Sequence, residues 1–233
     1  MYNNIKDVGS ELSMLIEKIK ELKNAKNSNY YDFKYKFNYH SNKIEGSTFS
    51  LEDVLNLMEY QQVQGTHKFD DVLETKNSLE LFDFVSDTVG EPITKTLLLE
   101  FHSVLKKNTM DDERGFKGCF KKIPNRILGA TVKVAEPHEV EPKLDELIKW
   151  WNGLEKKSLI NISEFHLRFE TIHPFQDSNG RIGRFIILKQ CIEADINPIL
   201  INSDNVLEYR GALAKHSVGD LYEFFSDCEQ YEL

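Results

Sequence analysis

The chain has 233 residues, of which 40% are hydrophobic, and a formal net charge of -9 at pH 7. This length and apolar content are typical of one globular domain whose interior can shield a reactive site. The excess of acidic residues argues against nucleic acid or an anionic membrane surface as the principal partner. Any anion-binding surface therefore has to be local.

Cysteine usage points to a reducing compartment. Cys119, Cys191 and Cys228 are odd in number, far apart and outside any CxxC pair, so they predict neither a disulfide framework nor a zinc cluster. We see no basic segment followed by an apolar run at the start, and no stretch approaching the roughly 20 apolar residues that span a bilayer. We expect a soluble, cytoplasmic protein.

The spacing of apolar residues predicts a mainly α-helical protein. Residues 12–19 carry one helical stripe and residues 69–82 carry another. A helix is expected over about 94–107. A further helix is expected over about 142–153, because Pro142 suits a first helical turn.

Few segments of the sequence predict a loop or a linker. Only the Lys- and Asn-rich stretch near 23–29 looks like a loop, and no repeat or long linker marks a domain boundary. We therefore expect a single domain over 1–233. Its N-terminal helices would reach about residue 50, and its core would span about 51–225.

The segment from Phe116 to Val134 departs from the helical pattern. Turn residues such as Pro124 and Gly129 separate β-favouring residues, and Thr131-Val132-Lys133-Val134 alternate in character. We predict a β-hairpin here, within an otherwise helical fold.

A candidate phosphate site lies between two apolar-periodic helices, in the run His173-Pro174-Phe175-Gln176-Asp177-Ser178-Asn179-Gly180-Arg181. Pro174 should help to end the first helix. The turn and N-cap residues that follow should present free backbone N–H groups at the start of the second helix, and such a helix start attracts phosphate. Arg181 and Arg184 are three apart, so both guanidinium groups lie on one side of that helix and suit two phosphates.

Two further side chains of this run suit phosphate chemistry. Asp177 offers a hard oxygen ligand for magnesium, and His173 can accept a proton near neutral pH. Each feature alone is common as a surface turn, a helix end or a solvated charge. Their combination within twelve residues predicts a catalytic site rather than a structural loop.

The run resembles the signature of the Fic family, His-x-Phe-x-(Asp/Glu)-Gly-Asn-Gly-Arg-x-x-Arg. It matches at seven positions: His173, Phe175, Asp177, Asn179, Gly180, Arg181 and Arg184. Ser178 replaces the usual glycine, and its side chain can restrict φ in the tight turn. We expect a tuned site here rather than an inactive one.

The resemblance implies a mainly α-helical Fic fold and a protein adenylyltransferase, which moves AMP from ATP to a Tyr, Thr or Ser hydroxyl. His173 would be the catalytic base, Phe175 would anchor the loop, and Asp177 would hold Mg²⁺. The α-phosphate would lie against Asn179, Gly180 and the loop amides, while Arg181 and Arg184 would bind the β- and γ-phosphates. The implied nucleotide-binding set is Asp177, Ser178, Asn179, Gly180, Arg181, Ile182, Gly183 and Arg184.

Family members also cover the nucleotide with a β-hairpin flap that aligns the target chain by strand addition. The predicted hairpin lies at the corresponding place, and its tip would be Leu128, Gly129, Ala130 and Thr131. Downstream, Tyr209 and Ser217 lie in a region that closes over adenine in relatives.

A second match, at Ser41-Asn42-Lys43-Ile44-Glu45-Gly46, resembles the family's inhibitory motif, (Ser/Thr)-x-x-x-Glu-(Gly/Asn). Ser41 and Glu45 share a helical face that Gly46 can terminate, and Ser50 with Asp53 resembles a capping box. In relatives the glutamate pairs with the second arginine, here Arg184. The resemblance implies the subgroup in which an N-terminal helix inhibits in cis.

Two alternatives to AMP transfer stay open at this point. Glu45 can instead position a water that removes AMP from a modified protein, or the chain can be a silent nucleotide- or peptide-binding module. The expected partner is a protein substrate docked at the flap, with self-modification and assembly into a homo-oligomer left open and no nucleic acid or membrane expected. Transfer of phosphate is disfavoured because Gly180-Arg181 differs from the Asn-Lys-Arg ending of that branch.

Overall fold

A computed structural model describes residues 3–126 and 133–233, with side chains from residue 14 onward. Within these ranges the chain forms eleven α-helices and one two-stranded sheet. The helices are α1 (Asn3–Asn24), α2 (Asn29–Ile44), α3 (Leu51–Tyr60), α4 (Phe69–Asp87), α5 (Lys95–Leu105), α6 (Met110–Glu113), α7 (Pro137–Asn152), α8 (Leu159–Ile172), α9 (Asn179–Glu193), α10 (Val206–Ala214) and α11 (Val218–Ser226). The strands are β1 (Ile199–Leu200) and β2 (Glu229–Gln230), which pair antiparallel.

Helix α9 lies at the centre of the fold. It packs against α2, α4, α5 and α8, and nearly all of its residues are buried. One apolar cluster joins its aliphatic side chains to residues of α1, α2, α4, α5, α7, α8, α10 and α11. Because α9 is covered on several sides, polar side chains at its first turns are reached by residues far apart in sequence.

Most of the predicted helices are confirmed. The Thr94 hydroxyl caps α5 by accepting from the Leu97 N–H, and Ser50 and Asp53 form the expected capping box of α3. The loop near 23–29 separates α1 from α2. The three cysteines are free thiols, and no helix among the described residues is long and apolar enough to cross a membrane.

The predicted start of one helix is wrong. Helix α7 begins at Pro137, five residues before Pro142, with Glu136 and Glu139 forming a capping box. Pro137 suits a first helical position because its missing N–H has no intrahelical acceptor there. Pro142 therefore lies inside the helix rather than at its start.

The hairpin predicted between Phe116 and Val134 is absent from its described part, residues 116–126 and 133–134, which contain no strand. Its backbone groups bond elsewhere. The Lys121 N–H donates to the Pro174 carbonyl at 2.8 Å, and directly after the segment the Ala135 N–H donates to the Thr171 carbonyl at 3.2 Å. The described sheet joins β1 and β2 instead, and the predicted tip, Leu128, Gly129, Ala130 and Thr131, lies outside the described residues.

Candidate active site

The loop between α8 and α9 is held by two residues with left-handed backbone. His173, the C-cap of α8, has φ 50° and ψ 60°, and Ser178, the N-cap of α9, has φ 67° and ψ 16°. Non-glycine residues adopt this conformation at a cost of the order of 1 kcal/mol, and such residues concentrate at functional sites. Pro174 follows directly and stops α8 from continuing.

Asn179 and Phe175 fix the shape of the loop. The Asn179 side chain accepts from the Phe175 N–H at 2.7 Å and donates to the Phe175 carbonyl at 2.9 Å. The Phe175 ring is fully buried and stacks on His102 with centroids 4.2 Å apart. The Asn179 side chain therefore supports the loop from within, and the groups left for an anion are the first-turn N–H groups of α9.

His173 is held as a neutral imidazole. Burial, together with the positive charge of Lys121, lowers the pKa of His173 to about 4. Its ring is 16% exposed, and Nδ1 is buried 3.8 Å from Glu170 Oε2. Nε2 is therefore the ring nitrogen left to take a proton from a hydroxyl group.

Arg184 is bound from the end of α2. Its Nη2 donates to Glu45 Oε1 at 2.7 Å and to the Ser41 carbonyl at 2.9 Å, and its Nε donates to Ser41 Oγ at 2.9 Å. The arginine is buried, whereas 34% of the Glu45 side chain is exposed. Gly46 has φ 92°, which favours glycine at the position where α2 ends.

Glu45 lies against the start of α9. A β-carbon built on Gly180 would overlap Glu45 Oε1 and would lie 3.1 Å from Arg184 Nη1. Burial acts to raise the pKa of Glu45, but the charge of Arg184 and a hydrogen bond from it lower that pKa below its usual range. A carboxylate thus occupies the position where the helix start and the arginine would favour a phosphate.

Arg181 is bound by a different group of side chains. Its Nη1 donates to Glu74 Oε2 at 2.5 Å, and its Nη2 donates to Ser178 Oγ at 2.7 Å and contacts Asp177 Oδ2 at 3.3 Å. Lys106 Nζ contacts Glu74 Oε1 at 2.5 Å, Asp111 Oδ2 at 2.8 Å and Asp177 Oδ2. Two cations and three carboxylates therefore form one connected network.

Asp177 is a suitable ligand for a hard cation. Burial opposes its ionisation, but the charges of Arg181 and Lys106 hold the pKa of Asp177 well below its usual range. Its side chain is 56% exposed, and oxygens of Glu74, Asp111 and Asp177 lie within 4.8 Å of one another. An ionised, half-exposed carboxylate of this kind fits Mg²⁺, although Lys106 already neutralises part of the cluster.

Ser178 has a direct contact that a glycine would lack. Its hydroxyl oxygen accepts from Arg181 Nη2, and its O–H lies 3.3 Å from Asp177 Oδ2. Ser178 adopts the left-handed backbone conformation, and its hydroxyl group connects Arg181 to Asp177. The departure from the motif therefore adds a link within the network.

Four other predicted nucleotide contacts have internal partners. Ile182 is fully buried in the core, and a β-carbon on Gly183 would lie 2.8 Å from both Glu170 Oε1 and a carbon of the His166 ring. Tyr209 is buried with its hydroxyl 2.7 Å from His166 Nε2, and Ser217 caps α11 by accepting from the Asp220 N–H. These side chains serve packing and capping in this structure, and contacts of Tyr209 and Ser217 with adenine stay a prediction.

The sequence patterns missed Glu74, Lys106 and Glu170. Glu74 and Arg181 are 107 residues apart, and Lys106 and Asp177 are 71 residues apart, so no local spacing links them. Glu170 is buried, and desolvation together with the charge of Glu45 raises its pKa to about 8. Lys106 lies at the end of a predicted helix, where a lysine is ordinary and gives no sign of burial.

The loop from His173 to Arg184 lies within a segment that matches a known protein family. Residues 92–191 match the model of the Fic/DOC family. The chain is 24% identical over 230 residues to the protein adenylyltransferase Fic of Drosophila persimilis, covering 95% of this chain and 44% of that protein. It is 24% identical over 194 residues to the protein of the same name from Nematostella vectensis, covering 80% of this chain and 44% of that protein. The chain thus spans less than half the length of these relatives.

Solved structures show the same fold. A Fic domain containing signaling protein from Bacteroides thetaiotaomicron matches with a TM-score of 0.77 and 24% identity, covering 93% of this chain and 91% of that chain. Fic-1 from C. elegans matches with a TM-score of 0.72 and 19% identity, covering 95% of this chain and 66% of that chain. The mainly helical Fic fold is therefore confirmed, and residues 92–191 of this chain match the Fic/DOC family model.

Proposed function

We propose that this chain transfers AMP from ATP to a hydroxyl group of a protein, and that Glu45 holds the enzyme in an inhibited state. The observation that carries the proposal is the convergence of a neutral histidine, an ionised aspartate and two buried arginines around the start of α9. Relatives named protein adenylyltransferase support the same class of reaction.

In the proposed reaction, the hydroxyl oxygen of the target attacks the α-phosphorus of ATP. His173 Nε2 takes the hydroxyl proton, a bond forms between the target oxygen and the α-phosphorus, and the bond to the bridging oxygen breaks. Pyrophosphate leaves with the electron pair of that bond. No covalent enzyme intermediate is needed, because this chemistry depends mainly on positioning and charge neutralisation.

Binding of the phosphates would fall to the first turns of α9. Its N–H groups and the two arginines, Arg181 and Arg184, would receive the negative charge, since a helix start and guanidinium groups both favour anions. Asp177 would hold Mg²⁺, which when bound neutralises charge on the phosphates. A protein substrate would dock beside the loop at residues 116–134, part of which lies outside the described residues.

Inhibition would arise from competition for Arg184. Glu45 already occupies one guanidinium nitrogen and lies against Gly180, so ATP phosphate and this carboxylate cannot both occupy that position. The Glu45 carboxylate and a phosphate bound at the same guanidinium group would repel each other strongly, because both are negatively charged and partly shielded from water. Full binding of ATP in the reactive pose would require Glu45 to leave.

Incubation with ATP labelled on the α-phosphate tests this proposal. We expect Glu45→Gly to give far more labelled protein than the wild type, and Glu45→Gly with His173→Ala to give almost none. Label on the γ-phosphate should not be transferred. Absence of α-label from Glu45→Gly, in the presence of cell extract as a source of targets, would overturn the transfer reaction.

One observation supports the alternative role of Glu45, in which it helps to remove AMP from a modified protein. Arg184 binds Oε1, whereas Oε2 makes no hydrogen bond within residues 14–126 and 133–233. A free carboxylate oxygen can orient a water toward an AMP–protein bond. If hydrolysis is the activity, the wild type will release AMP from a modified protein and Glu45→Gly will not. A silent binding module would instead bind Mg·ATP without either reaction.

A further inference from the structure

The contacts of Glu74 differ from those of an ordinary surface carboxylate. Its Oε1 contacts Lys106 Nζ and its Oε2 contacts Arg181 Nη1, both at 2.5 Å, so each oxygen holds a different buried cation. Only 17% of its side chain is exposed. Glu74 lies on α4, outside the matched family segment 92–191. A residue from outside that segment therefore bridges two cations at the candidate phosphate site.

Lys106 is fixed at its backbone as well as at its side chain. The Asn77 side chain, on α4, donates to the two carbonyls that flank Lys106. These are the Leu105 carbonyl, at 3.0 Å, and the Lys107 carbonyl, at 2.8 Å. The Lys106 side chain is only 2% exposed, so its ammonium group relies on its three carboxylate partners. These contacts keep the ammonium beside Asp177.

The network leaves one oxygen of Asp177 unoccupied. Lys106, Arg181 and Ser178 all contact Oδ2 through their side chains, whereas Oδ1 has no side-chain hydrogen bond or ion pair within the described ranges that carry side chains. A carboxylate held through one oxygen presents the other in a fixed direction. Partners of this kind commonly tune metal affinity through the ligand they orient.

We propose that Glu74 and Lys106 are positioning residues that orient Asp177 for Mg²⁺. This inference rests on the proposed function, because it assigns a role within the same nucleotide site. Glu74 acts through Lys106 and Arg181 rather than by touching the nucleotide. The carboxylate has to be long enough to reach both cations at once.

The test measures metal and nucleotide binding separately in the Glu45→Gly background, where Arg184 has lost its carboxylate partner. Mn²⁺ affinity in the presence of ATP is measured by electron paramagnetic resonance, and affinity for ATP in excess chelator is measured by calorimetry. Glu74→Gln and Glu74→Asp should each weaken Mn²⁺ binding about tenfold. Each should leave metal-free ATP binding within about twofold, because loss of the bridge affects mainly the direction of Asp177.

Two comparisons separate positioning from a simple effect of charge. Glu74→Asp keeps the charge but shortens the side chain, so retention of parental Mn²⁺ affinity in this variant would mean that charge alone matters and would overturn the proposal. Glu193→Gln is the matched control, because Glu193 also pairs with a buried lysine, Lys189, at the far end of α9. That control should leave both affinities unchanged.

The remaining outcomes are also decisive. A parallel loss of Mn²⁺ and metal-free ATP binding in both Glu74 variants would indicate general damage to the fold and would overturn the positioning role. Unchanged Mn²⁺ affinity in both variants would overturn it as well. If the Glu45→Gly parent binds no Mg·ATP, the proposed function fails and this inference fails with it. If the parent binds Mg·ATP and transfers AMP, only the inference is at stake.

Discussion

The two arginines of α9 are held in different ways. Arg184 has one carboxylate partner, Glu45, which is a third exposed and belongs to the last residues of a neighbouring helix. Arg181 is held by Glu74, from the interior of α4, and that carboxylate is shared with buried Lys106. We therefore expect the contact between Glu45 and Arg184 to be displaceable and the contact between Glu74 and Arg181 to be part of the scaffold.

Helix polarity supports this difference. Glu45 is the C-cap of α2, where a negative charge is disfavoured by the helix macrodipole. Arg184 and the start of α9 offset that cost, and ATP phosphates would compete for both. Glu74 lies away from the ends of its own helix and holds two cations. In such a site the Glu45 carboxylate can block one arginine and be removed, while the Glu74 carboxylate keeps the other arginine in place.

Removal of the candidate base, His173, should give the largest effect, and it should lower the rate of the chemical step without changing nucleotide binding by the two arginines. In the Glu45→Gly background, His173→Ala should lower the rate of AMP transfer by about 10²–10⁴-fold, the usual contribution of a positioned acid or base. Calorimetry should find nearly unchanged Mg·ATP affinity. Transfer at the parental rate would show that another group takes the proton.

Thermal unfolding should distinguish the two carboxylates. Glu74→Gln should lower the free energy of unfolding by about 2–3 kcal/mol, because it leaves buried cations with too little negative charge. Glu45→Gln should cost less than about 1 kcal/mol, since its side chain is partly exposed and Arg184 keeps Ser41. For a chain of this size the first change corresponds to a decrease in Tm of roughly 4–12 °C. Equal losses would remove the proposed distinction between a fixed and a displaceable carboxylate.

These contacts also show which parts of the candidate site can be predicted from the sequence. The loop from His173 to Arg184 is local, so its spacing predicts both the helix ends and the candidate base, metal ligand and arginines. The partner of Arg184 follows from a resemblance that joins two distant motifs. Glu74 and Lys106 are brought to the loop only by the packing of α4 and α5 against α9, and nothing in their local sequence indicates this.

The outcomes near residues 116–134 have a related cause. β-favouring residues and turns predict a hairpin, but the described residues 116–126 and 133–134 contain no strand, and the Lys121 N–H bonds to Pro174 in the loop between α8 and α9. Local propensity gives way to tertiary hydrogen bonds in such a segment. The same holds for Pro142, whose local preference for a first turn is overridden by the stronger start at Glu136 and Pro137.

The pH dependence of transfer tests the state of His173 next to the two arginines. Its lowered pKa means that the imidazole stays neutral as pH falls through 6.5 and becomes protonated only near its folded pKa of about 4. We expect kcat/KM of Glu45→Gly to change little between pH 8 and pH 6. A histidine with an ordinary pKa would instead lose about fourfold by pH 6. A midpoint near pH 6.5 would contradict the burial of His173 in the active form.

The smallest effect is expected at Ser178, which contacts Arg181, the arginine that Glu74 also holds. Ser178→Gly relieves the left-handed backbone but removes the hydroxyl that accepts from Arg181. These changes are each about 1 kcal/mol and opposite in sign, so the free energy of unfolding should shift by less than about 1 kcal/mol. Denaturant unfolding measures the shift, with Ser217→Gly at the N-cap of α11 as a serine-to-glycine control outside the loop. A large gain in stability would mean that the hydroxyl contact contributes little.

Calorimetric titration of Mg·ATP into the wild type and into Glu45→Gln tests the central claim most directly, because glutamine keeps the size of the side chain and removes its charge. If Glu45 competes with phosphate for Arg184, Glu45→Gln should bind Mg·ATP at least about tenfold more tightly, a difference of about 1.4 kcal/mol. Glu193→Gln should bind as the wild type does. Equal affinities for the wild type and Glu45→Gln would contradict the account.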